Sequence, residues 1–250
     1  MVRIEAVLTV SESKRLIAKG IKGLEIVKKA MVDGMVTVAM GTTTTYVAEE
    51  LVGQRIPKFS YTTGLTLPTV RRRRIDLDVP KRPGIVFRKG RLVEGLSIDE
   101  SVKEMGAGDV FIKGANALNY REKVAGILIG HPTGGTIGKA IGTLIARKAH
   151  LVIPVGLEKC IPFDILELSR QIPLTQTEGS KFTSLFPVTG VIVTEIEALE
   201  TLADVRAVQV AAGGVAGAEG SVRLQIEGES GEIEKIEGIL EGIYGEEEFG

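Results

Sequence analysis

Tryptophan is absent from this chain, cysteine occurs once and histidine twice, and 31 basic residues almost cancel 32 acidic ones. Each scarcity excludes something. The lone thiol, Cys160, rules out an intrachain disulfide and suits a reducing compartment, so a cytoplasmic setting is expected. One cysteine with His131 and His150 cannot assemble a zinc site of the usual Cys/His type, and neither metal nor cofactor is expected. Aromatic residues make up 4% of the chain, too few for a row of stacking platforms. A net charge of −1 argues against nucleic acid as an obligate partner. No apolar run approaches the ~20 residues of a membrane span. The opening MVRIEAVLTVSESKR carries acidic residues and no small-residue cleavage site, so no signal peptide is read there.

Glycine and threonine, by contrast, are plentiful and strategically placed. Three short apolar strands run into turns rich in Gly, Thr and Asn, each expected to open a helix. They are Met35–Met40 into GTTTT (41–45), Asp109–Lys113 into GANALN (114–119), and Ala125–Ile129 into GHPTGGTIGKA (130–140). In a parallel α/β sheet such turns line the crevice at the carboxyl ends of the strands. Their N–H groups and the helix N-termini behind them suit phosphate or carboxylate.

The rest of the chain reads as repeated strand and helix. An amphipathic helix is expected from Ser11 to about Asp33, capped by Ser11 or Ser13 and stopped by Gly34. Beyond a helix at 46–52, FSYTTGLTL is strand-like, and IVFRKGRLVEG is a hairpin turning at Lys89-Gly90. SIDE at 97–100 is a capping box for a short helix. Strands at 109–113, 124–129, 150–155 and 189–194 alternate with helices near 135–148, 162–171 and 195–202. The expected fold is α/β, three-layer αβα with a mostly parallel sheet over residues 1–203. A small ββα (α+β) appendage follows over 204–250. Nine basic residues in 71–91, including Arg71–Arg74, face nine glutamates in 227–250. These blocks either meet, within a chain or in a homo-oligomer, or lie as separate solvated stretches.

Candidate site residues follow from the turns. Gly41, Thr42, Thr43, Thr44 and Thr45 can wrap a phosphate, or else simply cap a helix. The third turn is not a Walker A motif, because Thr133 stands where glycine is needed and Ala140 follows Lys139 in place of Ser/Thr. What remains is a possible anion nest, Thr133, Gly134, Gly135 and Thr136, with Lys139 one turn along; close helix–strand packing is the alternative. In the second turn Lys113, Gly114 and Asn116 can bind, but Asn116 and Asn119 cannot take a proton. Proton transfer falls to His131, Lys139 or Glu158, the last paired with Lys159 at a strand end. Arg71–Arg74 can clamp phosphate or guard an edge strand.

The order GTTTT, KGANAL, GHPTGGTIGKA resembles the superfamily of ribose-5-phosphate isomerase, glucosamine-6-phosphate deaminase and CoA-transferase folds. Gly41–Thr45 resembles a GTGST-type turn, Lys113–Ala117 part of a DGADE-type turn and Gly130–Lys139 a glycine-rich turn. VIPVGLEKCIP and GVIVTEIEAL resemble core strands of its lactate-utilisation branch. The resemblance covers about 35–202 and implies the scaffold and an anionic ligand. Asn116 stands in place of the isomerase acid, and no ENG-like glutamate of the CoA-transferase type is present. The expected partner is therefore a small anionic metabolite, phosphorylated or CoA-like. It is met either by an enzyme of isomerase or transferase type, or by a regulatory module that keeps the cleft and lacks the acid.

Overall fold

The computed structural model describes residues 1–67, 79–174 and 183–249. Arg71–Arg74 lie outside the described residues. The first helix begins at a threonine, not a serine. Thr9 caps α1 (Val10–Gly23) through a capping box with Glu12. The single long helix expected here is two, because Leu24 is extended and α2 (Glu25–Asp33) starts anew after it. Gly23 ends the first helix and Leu24 turns its side chain onto the core, a tertiary demand that outweighs the continuous apolar period.

Four strands form a parallel run in the order β10 (Val191–Val193), β8 (His150–Pro154), β5 (Val110–Ile112), β2 (Met35–Val38). Val36, Val38, Val110, Phe111, Ile112, Val152 and Ile153 are fully buried, which explains their unbroken apolar character. The expected hairpin, β3 (Ile85–Arg88) and β4 (Arg91–Leu92), extends this sheet antiparallel, and left-handed Lys89 and Gly90 form its turn. FSYTTGLTL is not a strand. Its Tyr61 is buried beneath the sheet instead, where its hydroxyl donates to Val38 O and accepts from Ile85 N–H at 2.9 Å.

Taken over all three sheets, most strand pairings among the described residues are antiparallel, so the expected mostly parallel arrangement holds only for the four-strand run of the central sheet. β7 (Val124–Ile129) leaves the central sheet and pairs antiparallel with β6 (Ala117–Asn119) and β9 (Ser184–Val188). The cause is chain length. Residues 113–116 and 120–123 are too short for the crossover of a dozen or more residues that a parallel neighbour requires. GANALN accordingly opens β6, not a helix. The expected C-terminal strands, β11 (Val205–Ala212) and β12 (Val222–Gly228), recruit an N-terminal partner, β1 (Val2–Leu8), in the order β1-β12-β11. Helix α8 (Ser230–Glu241) follows and packs on β1 and β12. Within the acidic block, Glu227 pairs with Arg3 and Arg206, and Glu246 with Arg15 and Arg55. Among the described residues no helix is long and apolar enough to cross a membrane.

Helix α1 crosses α7 (Glu195–Leu202) at Gly20, where an added Cβ would lie 2.5 Å from the Cα of Ala198. Alanine would gain helix propensity of about 1 kcal/mol, but overpacking against backbone costs about 1–3 kcal/mol. Gly20→Ala is therefore expected to lower the melting temperature. Gly238→Ala, in α8 with open space around it, is expected to raise it. Thermal unfolding of both variants checks the contrast.

Candidate functional site

The parallel run aims its carboxyl edge at a cleft of about 830 Å³. After β2 the chain enters α3 (Thr42–Val52), and Gly41, Thr42, Thr43 and Thr44 line the cleft. After β5, Lys113, Gly114 and Asn116 line it. The turn after β7 supplies His131, Gly134, Gly135, Thr136 and Lys139. Thr45, Thr133 and Glu158 do not line it. The three turns thus meet, although the third arrives from the antiparallel sheet.

Helix α3 has no side-chain cap, so no protein acceptor meets its first N–H groups among the described residues. The threonine run is less generous than its length suggests. The hydroxyls of Thr44 and Thr45 donate back to Gly41 O, at 3.2 and 2.8 Å, leaving those of Thr42 and Thr43. Helix α5 (Gly135–Arg147) is likewise uncapped, and Gly134 and Gly135 are both left-handed. That conformation admits only glycine without strain. Gly138 lies so close to Thr133 O, 2.8 Å from a would-be Cβ, that it too is packed to the turn. His131 Nδ1 accepts from Thr133 N–H at 3.2 Å and meets its hydroxyl at 2.9 Å, while the ring stays exposed.

Two expected ligands have other engagements. Asn116 Oδ1 accepts Leu128 N–H at 3.0 Å, tying the second turn to β7, and Asn119 Oδ1 accepts Glu122 N–H at 3.1 Å. Lys139 pairs with Asp99 of α4 (Ile98–Glu104) at 2.5 Å, both half-exposed. Such a pair is worth ~0–1 kcal/mol and is easily exchanged.

Lysines the turn motifs did not reveal complete the lining. Lys14 comes from α1 and Lys159 from the 3-10 turn Leu157–Lys159 after β8. Lys14 is only 8% exposed, and its nitrogen makes no hydrogen bond or ion pair among the described residues. Burial first, then repulsion from Lys159, brings it down to about 8, with Glu158 opposing. Lys113, which donates to Gly114 O at 3.2 Å, falls to about 8 for the same two reasons. Lys159 donates to Ala115 O at 3.0 Å. Lys14 carried no signal in the sequence, because a lysine near a helix start ordinarily faces water.

Behind the lysines lies a carboxyl pair. Glu195, at the start of α7, is fully buried; its Oε2 accepts Leu157 N–H at 2.9 Å, and its Oε1 has no partner among the described residues. Glu158 Oε2 is also buried without one. Burial first and the Glu158 charge second push Glu195 up to about 7. The sequence hid it inside the Thr194 capping box, whose working acid is Glu197. Comparison of the chain with protein-family models, with curated proteins and with solved structures finds no match in any of the three.

The Glu195 carboxyl makes stability depend on pH. Between its ordinary value of 4.5 and about 7, the folded chain binds more protons than the unfolded one, so stability falls as pH rises through that window. Glu195→Gln keeps an acceptor for Leu157 N–H and removes the charge. It should match the parent at pH 5 and exceed it by ~1–3 kcal/mol at pH 8, read by denaturant unfolding at both pH values.

Proposed function

We propose that the cleft binds a phosphorylated or CoA-like anionic metabolite and acts on it. One observation carries this reading: two uncapped helix N-termini, α3 and α5, open into the same cavity as Lys14, Lys113 and Lys159. Oriented N–H groups and ammonium groups with no carboxylate partner among the described residues line one cavity, which suits an anionic ligand. The volume is that of a site for a whole metabolite and not for one ion alone.

The motif order supports membership of the superfamily of ribose-5-phosphate isomerase, glucosamine-6-phosphate deaminase and CoA-transferase folds. The parallel run with the first two turns at its carboxyl edge supports it as well. A reaction of isomerase or transferase type would take its proton-transfer group from Glu158, whose charge is felt by Lys14, or from His131 in the third turn. The free thiol fits a cytoplasmic setting. A second reading, binding without turnover, is favoured by the lining itself. Among the described residues its one carboxylate is Asp99, already paired with Lys139.

A melting-shift screen against sugar phosphates, CoA esters, folates and nucleotides tests the reading. Stabilisation is expected from a phosphorylated ligand, and turnover of that ligand separates enzyme from module. Thr43→Pro removes one N–H donor at the α3 N-terminus and should weaken binding of the hit by about 1–3 kcal/mol. Asn116→Ala should do less, since its amide oxygen already serves the loop. No hit among the anions, or equal effects of the two substitutions, would sink the reading, with the unliganded melting temperature as the check on folding.

A further inference from the structure

We infer that the ligand carries two anionic groups, one at the N-termini of α3 and α5 and a second held by Lys14, Lys113 and Lys159. This rests on the cleft being an anion site and names the class of its ligand: a bis-anion of metabolite size.

Lys159 lies within range of the charges of both Lys14 and Lys113, yet none of the three has a carboxylate within 4 Å among the described residues. Lys14 is the clearest case. It is more than nine-tenths buried and lines the cleft, and its one cation–π contact among the described residues is with the Phe249 ring, with the centroid 5.7 Å away. An aromatic face does not neutralise an ammonium. Other cations of this chain are met: Lys139 by Asp99, Arg15 by Glu49, Glu50 and Glu246. After the bonds of Lys113 and Lys159 to Gly114 O and Ala115 O, each ammonium still has donors to offer, and Lys14 has all three. A largely desolvated ammonium facing a cleft with no carboxylate partner is costly to the fold, so a partner from outside the chain is the economical account of it.

The donors span more of the cleft edge than one anion covers. Thr42 follows β2, Lys113 follows β5 and Lys159 follows β8, three strands that are successive neighbours in the sheet. Strands lie about 4.8 Å apart, so the first and last of these edge positions are separated by roughly 10 Å. The same cavity reaches both. A single phosphate touches one set; a molecule with an anion at each end touches both and gains the affinity of linked contacts.

Calorimetric titration with hexyl phosphate and with hexane-1,6-diol bisphosphate tests this without sugar-specific contacts. The bisphosphate should bind at least about tenfold tighter than the monophosphate at low salt. In Lys14→Met, and independently in Lys159→Met, that ratio should collapse to about the twofold expected from having two identical ends. Lys14→Met should also melt higher than the parent, because a largely desolvated charge without a carboxylate partner is gone. A bisphosphate that binds no better than the monophosphate, or a ratio that survives both substitutions, overturns the inference while leaving the cleft an anion site. Failure of both probes to bind overturns the cleft reading itself and this inference with it.

Discussion

Lys14 and Arg15 are neighbours on one buried stretch of helix, and the different ways their charges are met organise the molecule. The first turns of α1 are wedged against α3 and α7, which buries Ser11 through Arg15. Arg15 is surrounded: Glu49 and Glu50 of α3 and Glu246 of the C-terminal segment hold its guanidinium, which lies 4.7 Å from the Tyr46 ring centroid. Glu12 adds a second tie, accepting Thr9 N–H with one oxygen and Gly245 N–H with the other, both at 2.8 Å. Helix α1 is thereby fixed to α3 and to the chain's last turn at once. Lys14, pointing elsewhere from the same backbone, has no such company.

That contrast has a physical use. A buried ion network contributes little net stability over an apolar one, but breaking it leaves uncompensated charge at a cost of about 3–5 kcal/mol. Its effect here is positional, because it holds α1 in one orientation. The close approach at Gly20 and Ala198 fixes the other end of the helix. A side chain rising from a helix so constrained is already in place before a ligand arrives, and ordering it costs little at binding.

Features decided within a few residues were legible in the sequence. The Lys89-Gly90 turn and the Ser97–Glu100 box are both local, and each lies where its residues say, whereas α3 starts at Thr42, four residues before the expected 46, and takes the threonine run into its first turn. Features set by distant packing were not. β1 was unreadable because its partner, β12, is more than 200 residues away. The departure of β7 from the parallel sheet was written in the short lengths of 113–116 and 120–123, but the strand's apolar character concealed it. The same division runs through the site. The glycines and threonines of the turns announced themselves, whereas Lys14 and Glu195 acquire their character only from what buries them.

Lys14 and Glu195 answer burial in opposite directions. The lysine is brought down to about 8 and the carboxyl pushed up to about 7, each moving towards its uncharged form. An anion entering the cleft would restore the first and not the second: it favours protonated lysines in front and, by repulsion, a protonated carboxyl behind. Occupancy and proton position are then linked, and by reciprocity a change in one alters the affinity for the other. Glu195 is thus a carboxyl whose proton is held by burial, and whatever charge enters the cleft acts on it through the same low-dielectric interior.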